Sequence, residues 1–414
     1  MTDPLTTVRL TSLIFGFTYL GLAIGKVPLL QVDRAGIALI GAVTMLVVGL
    51  VDLKDAVAAI DFETIALLFG MMVLVAYLQI GGFFQLVTDR ILRFKMGPYV
   101  LVGMTMGLSG VLSAFLVNDV VCVALTPLIL DLCRRSKQPL MPHLIGLATA
   151  SNIGSAATIT GNPQNVIIGS LSEISYIHFA ARLAPVAIAG LAINYVIVCL
   201  VYRGDLSKPV SEIPAEETAQ PTPIKYGLVL KGSIVTIGVI GLFFCGAPIA
   251  VVALGAAAIM MLSSINPEEV YRKVDWPLLV MFAGLFVIVD VFNSHVVKGW
   301  AIESWTFITK SPVVAVSGLS VVLSNLVSNV PAVLLFKPII AATSDPERAW
   351  LALAMSSTFA GNLTVLGSVA NLIVVENARR AGFNVSFQEY LKVGIPVTIL
   401  TTLLGIAWLQ WTSY

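Results

Sequence analysis

Charge is what this 414-residue sequence has least of: only 11% of its residues are Asp, Glu, Lys or Arg. Soluble domains carry about a quarter, so a water-soluble globule is excluded. Four cysteines, Cys122, Cys133, Cys199 and Cys245, stand far apart in apolar segments. That spacing fits neither a disulfide scaffold nor a metal cluster, and it predicts packing residues. The three histidines, His143, His178 and His295, are equally scattered, which leaves a metalloenzyme without ligands. A net charge of +1 without a basic run argues against nucleic acid as a partner. No Ser/His/Asp or Cys/His constellation and no glycine loop ending in GK[ST] occurs. Hydrolytic chemistry and ATP-driven pumping by this chain are therefore not expected, and no cofactor is implied. Energy must come from an ion gradient, from the solute's own gradient, or from a separate subunit such as a cytoplasmic ATPase. Met1 to Ile24 lacks a basic start and a small-residue cleavage site, so it reads as a mature first helix.

What is abundant is apolar surface: 57% of residues are hydrophobic and the mean hydropathy is +0.94. Apolar runs such as Ile37 to Leu50, Ile65 to Ile80 and Val186 to Tyr202 recur along the chain. With flanking residues each approaches the roughly 20 needed to cross a ~30 Å hydrocarbon core. One polar, proline-rich stretch, Arg203 to Lys225, interrupts them near the midpoint and reads as a solvated linker. The halves on either side, 1–202 and 226–414, resemble each other. DFETIALLFGMMVLV from Asp61 matches DWPLLVMFAGLFVIV from Asp275. FLVNDVVCVALTP from Phe115 matches NLVSNVPAVLLFKP from Asn325, placing Asp119 opposite Asn329. TGNPQNVII from Thr160 matches LGSVANLIV from Leu366, placing Asn165 opposite Asn371. The offset between matched positions drifts only slightly from one segment to the next, although the segments differ in character, and this predicts a duplication.

Each half reads as three spanning helices, a re-entrant hairpin turning at a polar tip, a glycine-interrupted broken helix and a final span. Five net crossings per half force the second to be inverted, as in many secondary transporters. The predicted fold is thus an all-α polytopic membrane protein of two inverted repeats, with ten transmembrane crossings, two re-entrant hairpins and two broken helices. With both termini outside, 17 of the 24 basic residues fall in cytoplasmic loops, as the positive-inside rule requires of an inner-membrane protein.

Backbone breaks at membrane depth are tolerated only against protein or a wet cavity. SNIGSAATITGNPQN from Ser151 and SSTFAGNLTVLGSVAN from Ser356 carry such breaks, rich in hydroxyls and amides. Half-helix N-termini there suit an anion or an oxygen-rich solute. The plainer alternative is that small residues merely permit close helix packing. Asp119, a carboxylate at a hairpin tip, points to ion or proton coupling; its plainer role would be a helix cap. Asp290 and Lys337 lie close enough to the interface to be ordinary snorkelling groups.

At NDVVCVALTPLIL, ASNIGSAATITGNPQNVIIGS, SNVPAVLL and AGNLTVLGSVANLIVVENA the sequence resembles the ion transporter superfamily. The likeness is to the branch of arsenite efflux permeases and the P protein, related to divalent anion/sodium symporters. The resemblance implies a scaffold and a transport domain moving in an elevator fashion, with a homodimer formed through scaffold helices. Carried over by motif, the substrate site falls on Asn118, Ser151, Asn152, Thr158, Asn165, Ser328, Asn329, Asn362, Thr364 and Asn371, with Asp119 as the ion-coupling group. The Ser-Asn-Thr triplets of dicarboxylate symporters are absent: Ile153 follows Asn152, and Val330 follows Asn329. The expected function is therefore export of a small inorganic oxyacid, arsenite or antimonite, coupled to protons. The alternative is sodium- or proton-coupled transport of an inorganic or dicarboxylate anion. A receptor that merely retains the fold would want an appended soluble domain, and no polar stretch longer than the linker is present.

Overall fold

The computed structural model of the chain describes residues 4–24, 32–92, 96–207, 223–300, 302 and 305–412. Regular structure among them is helical throughout. Among the described residues seven helices are long and apolar enough to cross a membrane: Pro4–Ile24, Phe62–Gly81, Pro98–Phe115, Tyr176–Val201, Tyr226–Phe244, Trp276–His295 and Phe387–Trp411. Shorter apolar helices, among them Arg34–Val47, Ile249–Met261 and Pro312–Val327, lie between them. Phe17, Ile237 and Leu262 point outward among other large exposed apolar side chains, a surface suited to lipid and not to water. Helix starts carry their own signals. Asp61 accepts from the Glu63 and Thr64 N–H groups, Asp275 from that of Leu278, and Ser386 from that of Glu389, each satisfying a donor the first turn leaves open.

Two hairpins form where expected. Pro98–Phe115 turns into Asn118–Ser136, and Pro312–Val327 turns into Asn329–Leu335. The residue immediately before each second arm has a positive φ, 61° at Val117 and 75° at Ser328. A non-glycine residue held there costs about 1–3 kcal/mol, so the same strained turn occurs at the same place in both hairpins. Val117 is therefore the counterpart of Ser328, which corrects the expected register by one position. Asn118, not Asp119, stands opposite Asn329. Asp119 does not cap its own helix, whose N-cap is Val117 with no side-chain bond; its carboxylate instead accepts from the Ala370 N–H in the first turn of Val369–Arg380.

Two broken helices also form. Leu140–Ser155 is followed by a single 3-10 turn, Ile159–Gly161, and by Pro163–Ser172; Pro346–Ala360 is followed by Val365–Gly367 and Val369–Arg380. Thr158 and Thr364 are extended at φ −140° and −135°, and Asn162 and Ser368 at −154° and −143°. Both pairs keep the register that set Asn165 opposite Asn371. Proline starts the outgoing half at Pro163, where its missing N–H is not needed. Gly161 is forced by proximity: a Cβ there would lie 2.1 Å from the Ser155 carbonyl oxygen.

The long helices that follow Asp61 and Asp275 pack across the two halves. Gly70 of Phe62–Gly81 rests on the Ala253 backbone, and Gly284 of Trp276–His295 rests on that of Ala38; an added Cβ would come within 2.5 and 2.8 Å of carbonyl carbons there. Gly70 follows Asp61 at the same interval as Gly284 follows Asp275. Several short helices have no counterpart among the expected elements, among them Leu53–Ala59 and Pro267–Tyr271. After the left-handed cap Gly82 (φ 84°), Phe83–Leu92 forms a short separate helix. Most of the Arg203 to Lys225 linker lies outside the described residues, as do Lys26, Arg93, Lys95 and Lys208 of the loop charges. Its ends are seen in the Arg203–Leu206 turn and in a bond from the Lys225 N–H to the Gly81 carbonyl.

Candidate functional site

The two breaks leave carbonyls without helical partners, and one asparagine serves each. Asn165 Nδ2 donates to the carbonyls of Ser155 (3.1 Å) and Thr158 (3.0 Å); Asn371 Nδ2 donates to those of Gly361 (2.6 Å) and Thr364 (3.0 Å). Donor and acceptors in the second set all match those of the first in a single register. Carbonyls only accept, so both amides are oriented without ambiguity.

That orientation propagates. With Nδ2 of Asn371 committed, its Oδ1 accepts from Asn152 Nδ2 at 3.0 Å, which also donates to Asn362 Oδ1 at 2.9 Å. Asn152 Oδ1 must then accept, and it does so from Asn118 Nδ2 (3.1 Å) and Ser368 Oγ (3.0 Å). Asn162 makes the reciprocal crossing, donating to Ser155 Oγ (2.8 Å) and to Thr358 Oγ1 (3.1 Å) of the other half. The chain of amides ends at Asn118 Oδ1 and Asn362 Nδ2, which have no partner among the described residues; on the second hairpin Asn329 Oδ1, outside that chain, likewise has none among them. Asn118 and Asn329 are only 3% and 7% exposed. Buried polar atoms are commonly partnered, and of these three residues Asn118 and Asn329 stand on a cavity wall.

A cavity of about 570 Å³ opens at both hairpin tips. Asn118, Asp119, Ser328 and Asn329 line it, joined by Gln164 and Ser368 from the outgoing halves of the broken helices. Asp33, Arg34 and Asp275 stand in the same wall. The expected site residues thus divide into two groups. The hairpin-tip residues reach the cavity. Asn152, Asn362 and Asn371 form the amide network behind it, while Ser151 is held by Ser113 Oγ (2.7 Å) and Asn165 braces the first break. Thr158 is not brought to the cavity; its hydroxyl donates to the Ala114 carbonyl and its own carbonyl accepts from Asn165. Thr364 serves in the same way through its carbonyl.

Sequence reasoning missed Gln164, Asp275 and Arg34. Gln164 sits between two residues already singled out, Pro163 and Asn165, and could have been found from that. Asp275 and Arg34 start distant helices, one as a cap residue, and nothing local in the sequence connects them to the tips. Arg34 is the one Arg or Lys in this wall among the described residues, half-buried and in no ion pair among them.

The family and fold are independently recognisable. Residues 19–355 match the family described as citrate transporter, CitMHS. The silicon efflux transporter LSI3 of Oryza sativa subsp. japonica is 32% identical, with 97% of each chain covered. The P protein of Homo sapiens is 27% identical, covering 86% of this chain and 54% of that one. The solved structure of the Alcanivorax borkumensis YdaH transporter shares the fold, with a TM-score of 0.61 at 15% identity over 98% of this chain and 97% of that one. With the family match spanning most of its length and its helices apolar enough to cross a bilayer, the chain belongs to the citrate transporter family and is a multi-pass membrane transporter.

Proposed function

We propose that the chain exports a small uncharged hydroxy acid, arsenite or antimonite, across the inner membrane in exchange for a proton carried by Asp119. One observation carries the reading: the open positions at the tips are mainly acceptors. Asn118 Oδ1 and Asn329 Oδ1 lack donors, and the Asp119 carboxylate stands beside Asn118 on the cavity wall. Arsenious and antimonous acids are neutral near pH 7 and present several O–H donors; a carboxylate anion brings acceptors to a wall that already holds Asp33, Asp119 and Asp275. Likeness to a silicon efflux transporter supports the same class, since silicic acid is also an uncharged polyhydroxy acid.

In this reading residues 1–202 and 226–414 are inverted repeats joined by the cytoplasmic linker 203–225, with both termini outside. Hairpins and broken helices form a unit that moves as an elevator against the remaining spans, and the constant register between the two breaks supports it. Ionised Asp119 accepts an O–H from the solute on the way out. Protonated on the outer side, it returns without the solute and releases the proton to the cytoplasm.

Arg34 favours a second reading, sodium- or proton-coupled transport of an anion such as citrate, for which a guanidinium in the wall would be the charge partner. Everted vesicles distinguish the two. Arsenite should accumulate with an acid lumen, and Asp119→Asn should abolish that accumulation. No arsenite movement, with citrate or succinate carried instead in a sodium-dependent manner, would establish the second reading.

A further inference from the structure

A second cavity, about 800 Å³, lies at the opposite end of the elements that build the first. Trp276–His295 runs from Asp275 on the first wall to Asp290 and Asn293 on the second; its 20 residues span about 30 Å. Pro163–Ser172 likewise runs from Gln164 to Ser170, and the second arm of the second hairpin from Asn329 to Leu334. None of Asn118, Asp119, Ser328 and Asn329 reaches this second cavity.

At this cavity one side-chain hydrogen bond among the described residues joins the hairpin and broken-helix unit to another span: Ser170 Oγ donates to Asp61 Oδ2 at 2.6 Å. Elsewhere the unit is tied by Tyr19 Oη donating to the Pro331 carbonyl (3.0 Å) at the first cavity's wall, by Thr149 with Asn194, by Thr160 with Tyr176 and by Thr398 Oγ1 donating to the Phe359 carbonyl. Asp61 and Asp275 occupy matching places in the two halves, each capping a long helix. Asp61, in the second cavity, is engaged across the boundary by Ser170. Asp275, in the first, accepts only from its own helix among the described residues, at Leu278 N.

We propose that the second cavity is the access chamber on the opposite membrane face and that the Asp61–Ser170 bond locks the site toward the first cavity. This rests on the two-body reading above, but not on which solute is carried. When the unit moves, Ser170 leaves Asp61 and the tips approach the second chamber.

The test uses the full-length chain in sealed vesicles of known orientation, with Cys199 and Cys245 replaced by serine. Val369→Cys, on the first cavity wall and 38% exposed, reports access to a membrane-impermeant maleimide. A hydrogen bond to a charged group is strong enough that its loss should change the population severalfold. Ser170→Ala is expected to lower the labelling rate from the first-cavity face by about threefold to tenfold, with labelling from the other face rising. Ser170→Thr, which keeps the hydroxyl, should restore the original rate. A rate within about twofold of the parent in Ser170→Ala, or an equal fall in Ser170→Thr, overturns the lock. If the parent itself is labelled equally fast from both faces, the two-body reading fails instead, whatever Ser170 does.

Discussion

Leucine at position 165 or 371 keeps most of the volume of asparagine and removes the amide. If the amides are only space-fillers, Asn165→Leu and Asn371→Leu should be close to neutral. The structure predicts otherwise, because each substitution removes the donor from two carbonyls at a helix break: Ser155 and Thr158 in one case, Gly361 and Thr364 in the other. A buried acceptor stripped of its partner costs about 1–3 kcal/mol, so two give about 2–6 kcal/mol for each substitution. Asn165→Asp and Asn371→Asp should be worse than leucine, since an ionised carboxylate has no donor and faces two carbonyl dipoles. The assay is unfolding of the full-length protein in mixed micelles by SDS titration, followed by tryptophan fluorescence. Losses smaller than about 1 kcal/mol in both leucine variants, or aspartate variants more stable than leucine ones, would refute the bracing role. The two sites should differ in transport. Asn371 also orients Asn152 and through it Asn118, so Asn371→Leu should impair solute affinity in whatever protein still folds.

Three further outcomes follow from the same geometry. Gly70→Ala and Gly284→Ala each place a Cβ against backbone of the opposing half, and each should lower unfolding free energy by about 1–3 kcal/mol, measurable by the same titration. Arg34→Gln should leave arsenite flux within about twofold if the cargo is neutral, but should cut flux of an anion by about tenfold or more; radiotracer uptake decides. Asp119→Asn should remove the dependence of flux on an imposed proton gradient while leaving downhill solute exchange measurable, and a variant that still responds to pH would eliminate Asp119 as the coupling group.

Membrane class and the two-fold matching of segments were legible because both are written in local composition. Long apolar runs have few alternatives to a bilayer, and glycine, proline and asparagine at Gly161, Asn162 and Pro163 break a helix wherever they occur. The hairpin tips were placed to within one residue. That single residue mattered, since it exchanged Asp119 for Asn118 as the partner of Asn329, and only the backbone turn at Val117 and Ser328 reveals it. Phe83–Leu92 escaped notice because its apolar residues continue the preceding run; the left-handed Gly82 separates it from the span.

The sequence by itself determined that the chain crosses a membrane, that matching segments recur along it, and that amides and one carboxylate gather at the breaks, because each depends on residues near one another in the chain. Which of those residues line the cavity was decided by tertiary structure alone. Asn152 meets Asn362 from the other half of the chain, Thr158 turns away to the Ala114 carbonyl, and Arg34 and Asp275 arrive from distant helices. Amide orientation follows from a relay of partners that exists only when both halves are packed together, and it is this relay that leaves one oxygen of Asn118 free.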